Sequence, residues 1–297
     1  MRHSNLYVSI RDCHEEYGYP IEPCCSILHV SRNAYYDWLS GKMSKREKEN
    51  RRIADLAEQI HTDSPDKGYR RIRDDLERYH GVRISDKRAL RICRSRDIKS
   101  TVKYANHGCT RNAENPQYLA ENALNRDFHA DRPNAKWLTD VTEFKWYENG
   151  EKRKVYLSAI LDLYDRRIVA YVIRNSNDNS LVYDTFDAAI KAYPDAHPIF
   201  HSDRGFQYTS RVFHTKLEEA GMTQSMSRVA HCIDNGPMEG FWGILKRERY
   251  YGNRFTNQES LVRMIEDYID YYNSKRLQRN LGILTPMEKH EQFYLAA

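Results

Sequence analysis

The chain has 297 residues, of which 40% are hydrophobic and 30% charged. That is enough apolar material for two folded domains, and it contains no apolar run long enough for a transmembrane helix. The formal net charge is +5, but it is unevenly spread: Lys42 to Lys103 carries 19 basic and 11 acidic residues, a net of +8, leaving −3 for the rest.

A basic third beside a near-neutral remainder suits a polyanion-binding module attached to a separate domain. The six cysteines include no CxxC pair. Cys24 and Cys25 are adjacent, which suits neither an ordinary disulfide nor a zinc knuckle, and the set reads as reduced thiols in a cytosolic protein. The N-terminal stretch lacks the apolar core of a signal peptide, so the expected location is the cytoplasm.

Residues 1–43 are expected to be helical, with Ser31 as an N-cap and Gly41 as a stop. That region is either one form of helix-turn-helix or a small helical bundle. Residues 44–100 form a second helical region. Ile53, Leu56 and Ile60 make one apolar stripe, and Ile72, Leu76 and Tyr79 line the next helix. Gly81 breaks that helix and Ser85 caps another, which carries Lys87, Arg88, Arg91 and Arg94. A helix, a short glycine-containing turn and a basic helix form the layout of helix-turn-helix DNA binders. A charged helical hairpin has the same pattern. Residues 101–132 read as a linker with a short helix near 115–125.

From residue 133 to 297 the pattern changes to strands and then helices. KWLTDVTEFKWY, KVYLSAILDLY and RRIVAYVIR are three strands, the first two joined at Asn149-Gly150, a strong hairpin turn. A helix, the short strand HPIFHSD, a helix, the strand MTQSMS and further helices follow. The last opens at Thr285-Pro286-Met287-Glu288, a capping box with proline at its first position. Three antiparallel strands, then alternating helices and strands, is the order of a ribonuclease H-like α/β fold with a mixed five-stranded sheet and flanking helices.

Three acids occupy special places in this order. Asp140 interrupts a strand of β-branched and apolar residues, where aspartate is disfavoured. Asp203 ends the fourth strand, and Glu239 lies in the first turn of a helix. Adjacency of the first and fourth strands would bring these acids together. Singly, each has a plain reading as a solvent-facing, turn or helix-start residue. Together they form a hard oxygen donor set suited to Mg²⁺ or Mn²⁺. Two such ions can promote phosphoryl transfer. Lys246, seven residues beyond Glu239, shares its helix face; it is either a DNA-phosphate contact or a surface lysine. Trp137, Trp146, Phe241 and Trp242 read as core, and Asp162 and Asp165 as turn residues in DLYDRR.

WLTDVTEF, HSDRGFQYTS and SMSRVAHCIDNGPMEGFWGILKRE resemble the catalytic blocks of the IS-three family of insertion-sequence transposases, and more broadly the retroviral integrase superfamily. The 35 residues between Asp203 and Glu239 match the spacing of this DDE group. YIDYYNSKRLQRNLGILTPMEK resembles the family's C-terminal block, and GYRRIRDDL its helix-turn-helix extension. The resemblance implies that Asp140, Asp203 and Glu239 are the catalytic triad, holding two Mg²⁺ ions for which Mn²⁺ can substitute. His201, Arg204, Gly205, Asp234 and Asn235 match flanking positions; Arg204 and Lys246 are candidate DNA contacts, and His201 and Asn235 support the site. It also implies water attack at the element end, then attack of the freed 3′-OH on a second phosphodiester. Homo-multimers on paired DNA ends and an upstream OrfA-type partner or fusion follow from the same resemblance. A nuclease of the same fold that only hydrolyses, and a non-catalytic DNA-binding remnant, are the alternatives.

Overall fold

The computed structural model describes residues 4–41, 43–102, 117–228 and 232–296. The chain divides into two units, Met1–Lys99 and Ser100–Ala297. The first unit is helical. α1 (Ser4–Tyr17), α2 (Ile21–Ile27) and α3 (Arg32–Leu39) bury Tyr7, Ile10, Cys25 and Tyr35 among themselves. The Ser31 side chain makes no cap bond at α3. α4 (Lys45–Asp63) opens with a capping box instead, Ser44 paired reciprocally with Glu47. It packs with α5 (Tyr69–His80) and α6 (Asp86–Ser95) around Ile53, Ile72, Leu76, Ala89 and Ile92.

The turn between α5 and α6 forms where the sequence indicates. Gly81 adopts φ +65°, a left-handed conformation that costs a residue with a Cβ roughly 1 kcal/mol or more. Arg73 Nε donates to the Ile84 carbonyl at 3.2 Å. The Ser85 side chain accepts from Arg88 N at 3.3 Å and caps α6.

The second unit is built on a five-stranded mixed sheet, ordered β3-β2-β1-β4-β5. β1 (Lys136–Glu148), β2 (Glu151–Asp162) and β3 (Ile168–Arg174) are antiparallel. β4 (Ile199–Ser202) lies parallel to β1, and β5 (Thr223–Met226) parallel to β4. α7 (Asn179–Ala192) and α8 (Arg211–Glu219) follow β3 and β4. Asn149 and Gly150 both take positive φ, 50° and 82°, as a primed hairpin turn requires.

Strand alternation sorts the core into two layers. Leu138, Phe144, Leu157 and Ala159 face α9 (Gly236–Leu245) and α10 (Gln258–Ser274) through Met238, Phe241, Leu245, Leu261 and Ile265. Trp137, Ile160 and Phe200 face α7 and α8 through Val182, Phe186, Phe213 and Leu217. α11 (Pro286–Ala296) starts at the expected box: Thr285 N donates to Glu288 Oε2 at 2.9 Å, and Glu288 N to Thr285 Oγ1 at 3.1 Å.

Three details differ from the sequence expectations. Residues 117–135 contain no helix. Asn122 Oδ1 accepts from Asn125 N at 2.8 Å, a local side-chain bond that competes with helix formation. The rest of the expected helix, like the neighbouring linker residues 103–116, lies outside the described residues. The stretch PMEGFWGILKRERYY (237–251) reads as a single helix, but α9 does not continue regularly to Tyr251. Lys246–Tyr250 forms a π turn, closed by Tyr251 N donating to Lys246 O at 2.7 Å. The wider turn brings Tyr250 edge-on to Phe144 and its hydroxyl to the Lys145 carbonyl at 2.9 Å. Asp162 and Asp165 are more than turn residues: both are fully buried, together with Arg167. Asp165 Oδ2 accepts from Arg167 Nε at 3.1 Å and pairs with His290 Nδ1 at 2.8 Å. This network fastens α11 to the β2–β3 turn.

Candidate active site

The sheet register positions the two aspartates. β1 and β4 pair in parallel through Leu138 and His201; two residues further along each chain come Asp140 and Asp203. Asp140 points to the α9 side of the sheet, with Leu138, Thr142 and Phe144 on the same face. α9 runs alongside β1 in the same direction. Asn235 Nδ2 donates to the Thr139 carbonyl at 3.0 Å, Trp242 Nε1 to Asp140 Oδ2 at 3.0 Å, and Lys246 Nζ to Thr142 Oγ1 at 2.6 Å. Glu239, three residues before Trp242, therefore enters on the helix face that meets Asp140.

The electrostatics record this proximity. Burial first, and then the charges of Asp203 and Glu239, push the Asp140 carboxyl up to about 8. Burial also raises Asp203 and Glu239 above the usual carboxylate range. Tyr208 lies behind the aspartates, its hydroxyl 3.2 Å from Thr139 Oγ1. Burial and then Asp140 and Asp203 drive its phenol well above the ordinary value. None of the three carboxylates has a salt-bridge partner among the described residues. Nor is any set of three His, Cys, Asp or Glu side chains among those residues already gathered into a metal-holding cluster. Asp203 and Glu239 are each within electrostatic reach of Asp140, but the three are not drawn onto one point. Three acids with no salt-bridge partner among the described residues, one of them pushed up by burial and then by the charges of the other two, fit a divalent cation as the missing positive charge.

Asp203 is shaped by its loop. Its Oδ1 accepts from Gly205 N at 2.8 Å. A Cβ at Gly205 would sit 3.0 Å from that oxygen and 3.2 Å from Gln207 Oε1, so glycine lets the backbone approach the carboxylate. Arg204 Nε donates to the Ser227 carbonyl at 2.8 Å, tying this loop to the end of β5. His201 is fully buried, its Nδ1 2.9 Å from Ser225 Oγ and its Nε2 3.2 Å from Ser227 Oγ.

Desolvation lowers His201 to about 4, from an ordinary 6.5. Its stabilising contribution is thus complete above pH 6.5 and is lost as pH falls toward 4. The His201→Gln variant is expected to flatten the fall in melting temperature over that interval. An unchanged acid limb in thermal melts would contradict this role.

Two supporting residues were not legible as such. Trp242 is buried as expected of core, yet it also supplies the indole N–H that orients Asp140. Asp234 is fully buried and accepts from Arg228 N, Arg228 Nε and Asn122 Nδ2 at 3.0 Å each, and from Arg126 Nε at 2.6 Å. The Arg228 bonds, outweighing the cost of burial, hold its carboxyl far below the usual range. It joins the chain before β1 and the segment after β5 to the start of α9. The only sequence signal for it was its place in the DNGPMEG block.

On the helical unit, Lys87, Arg91 and Arg94 are exposed on one face of α6. Arg88 is committed elsewhere: its Nη2 donates to Glu49 Oε2 at 2.6 Å and its Nε to Asn50 Oδ1 at 3.0 Å, bracing α6 on α4.

Two family models described as integrase core domain match residues 130–232 and 239–293, and one described as HTH-like domain matches residues 48–106. The chain is 36% identical to the InsK protein of insertion sequence element IS150 of Escherichia coli (strain K12), over 93% of this chain and 95% of that one. It is 28% identical to the transposase InsF for insertion sequence IS3A of the same organism, over 97% of each. The HTLV-2 integrase catalytic core domain in complex with magnesium aligns over 55% of this chain and 99% of that one, at 18% identity and a TM-score of 0.42. The family models and the two insertion-sequence relatives define an insertion-sequence transposase with a DDE-type integrase core, an enzyme of the polynucleotidyl transferase class with a helix-turn-helix DNA-binding region. The chain belongs to the IS-three family of transposases.

Proposed function

We propose that this transposase cuts DNA at the ends of its insertion sequence and joins the freed ends to a target, with Asp140, Asp203 and Glu239 holding two divalent metal ions. One observation carries the reading: the charges of Asp203, at the end of β4, and Glu239, on α9, both reach Asp140 on β1, and none of the three has a salt-bridge partner among the described residues. Bound between them, Mg²⁺ or Mn²⁺ would supply the charge that activates an attacking oxygen and stabilises the leaving one.

The chain's own residues orient and hold. Trp242 fixes one oxygen of Asp140 by a hydrogen bond. Gly205 N does the same for Asp203. Asn235 anchors the start of α9 on β1, and so sets where Glu239 enters. Lys246 reaches along β1 to Thr142, close enough to meet a phosphate of DNA lying over the triad. No serine or tyrosine nucleophile is needed, since water and then the freed 3′-OH attack in turn. His201 stays neutral and supports the strand that leads to Asp203.

Lys87, Arg91 and Arg94 on α6 contact DNA phosphates or base edges, and Arg88 shapes that helix from behind. The active form is a multimer on paired ends in the bacterial cytoplasm, aided by an OrfA-type partner. Among the described residues no helix is long and apolar enough to cross a membrane.

Product analysis tests the reading. With DNA carrying native element ends, the protein should yield joined as well as cut strands in Mg²⁺ or Mn²⁺, and neither after chelation. Cut strands alone would make it a hydrolytic nuclease; metal-independent products would remove the triad from the chemistry.

A further inference from the structure

β1 and β2 are far longer than their neighbours. β4 pairs with β1 only from Lys136 to Leu138, and β3 pairs with β2 only from Tyr156 to Leu161. From Glu143 to Val155 the hairpin therefore continues as a two-stranded ribbon, about 20 Å past the last β3 pair at ~3.3 Å per residue.

Its two faces differ. Phe144, Trp146 and Val155 are buried against the α9–α10 layer. The free edge of β1 is also occupied: Tyr250 Oη accepts from Lys145 N at 3.0 Å, and Tyr147 N donates to Phe255 O at 3.1 Å. Among the described residues the opposite face is open. Directly paired residues point the same way in an antiparallel ladder, so Glu143 with Tyr156, Lys145 with Lys154, and Tyr147 with Lys152 share it. Lys145, Tyr147, Lys152 and Lys154 are all exposed, Tyr147 by 55%. The tip acids Glu148 and Glu151 pair with each other in the register and so belong to the other face.

Lysines on a strand edge often serve to block edge-to-edge pairing. Here the β1 edge is already closed by residues 250–255, and the lysines project from the face. Glu143 pairs with two of them, at 3.3 Å from Lys145 and 2.7 Å from Lys154. The face keeps a net positive charge around an exposed tyrosine.

We propose that this face of the ribbon is a second DNA-binding surface, which holds duplex outside the segment being cut. A two-stranded ribbon fits the ≈12 Å major groove of B-DNA, and the lysines, spread along it, meet phosphates on the groove walls. Asp140 lies on the same strand but on the other face, so the duplex held here is a different stretch from the one at the triad. The inference rests on the reading of the chain as a DNA-joining enzyme and adds where further duplex is held.

The test is the salt dependence of binding to a 40-base-pair duplex by the full chain, wild type against the triple variant Lys145→Gln, Lys152→Gln, Lys154→Gln. Each lysine that neutralises a phosphate adds about 0.9 to the slope of log K against log salt, so the triple variant should bind with a slope shallower by roughly 2–3 units. Glu143→Gln, which releases two lysines, should steepen it and bind more tightly. At saturating DNA the triple variant should still join ends at the wild-type rate. Equal slopes in folded wild-type and triple-variant protein, while joining is normal, would overturn this surface and leave the catalytic reading intact. A triple variant that no longer joins ends at saturation, with an unchanged slope, would overturn it too, making the ribbon a prop for the active site.

Discussion

Asp203→Asn is expected to leave DNA binding within about twofold of wild type while lowering cleavage and joining by three orders of magnitude or more. The substitution keeps size and shape, and its amide oxygen can still accept from Gly205 N, the bond Asp203 Oδ1 accepts at 2.8 Å. What it removes is one negative charge from the set that also raises Asp140. Stabilisation of a phosphoryl-transfer transition state by a cation is worth several kcal/mol, and about 4 kcal/mol corresponds to roughly a thousandfold in rate. DNA affinity should hold, because it derives from phosphate contacts made by lysines and arginines elsewhere. Gel-shift binding and strand-transfer yield, measured on the same preparation in Mg²⁺, separate the two effects. Activity within tenfold of wild type would take Asp203 out of the chemistry.

Arg167→Met should unfold the second unit at a temperature lower by on the order of 10 °C. Arg167 is 1% exposed, and Asp162 and Asp165 are fully buried. Its Nε donates to Asp165 at 3.1 Å and its Nη2 to Asn134 Oδ1 at 2.7 Å, and its guanidinium lies 4.4 Å from the centre of the Tyr193 ring. Even with the arginine present, burial and then Asp165 push Asp162 up to about 6. Removing one partner from a buried ion network costs ~3–5 kcal/mol, and each kcal/mol shifts melting by ~2–4 °C at this size. The deficit should shrink as pH falls from 7 to 5, because the stranded Asp162, already raised by burial and by Asp165, then takes up a proton. Thermal melts at the two pH values check both statements; a deficit under 2 °C, or one that grows on acidification, would contradict them.

The sheet was legible because its strands are defined locally. Alternation along 136–148 and 151–162, the Asn149-Gly150 turn and the Thr285–Glu288 box each depend on residues a few positions apart. The expected neighbours β1 and β4 are hydrogen-bonded, so Asp140 stands on the strand beside the one whose end carries Asp203.

What escaped depends on distant partners. Asp165 reads as a turn residue because its second partner, His290, lies 125 positions away. Trp242 reads as plain core because Asp140, 102 positions back, receives its N–H. Residues 117–135 read as partly helical, but they are held by Ser225, whose Oγ accepts from Leu124 N at 3.0 Å, and by Asp234. Long-range hydrogen bonds of this kind override local propensity and leave no periodic trace. Arg88 groups with Lys87, Arg91 and Arg94 by charge, and only the packing of α6 on α4 separates it.

Anomalous diffraction from Mn²⁺-soaked crystals, with a short element-end duplex bound, addresses the arrangement of the acids most directly. Two peaks ~3.5–4 Å apart are expected among Asp140, Asp203 and Glu239, with both peaks absent in Asp203→Asn. Manganese bound elsewhere, or a site that leaves out any one of the three carboxylates, would contradict the account.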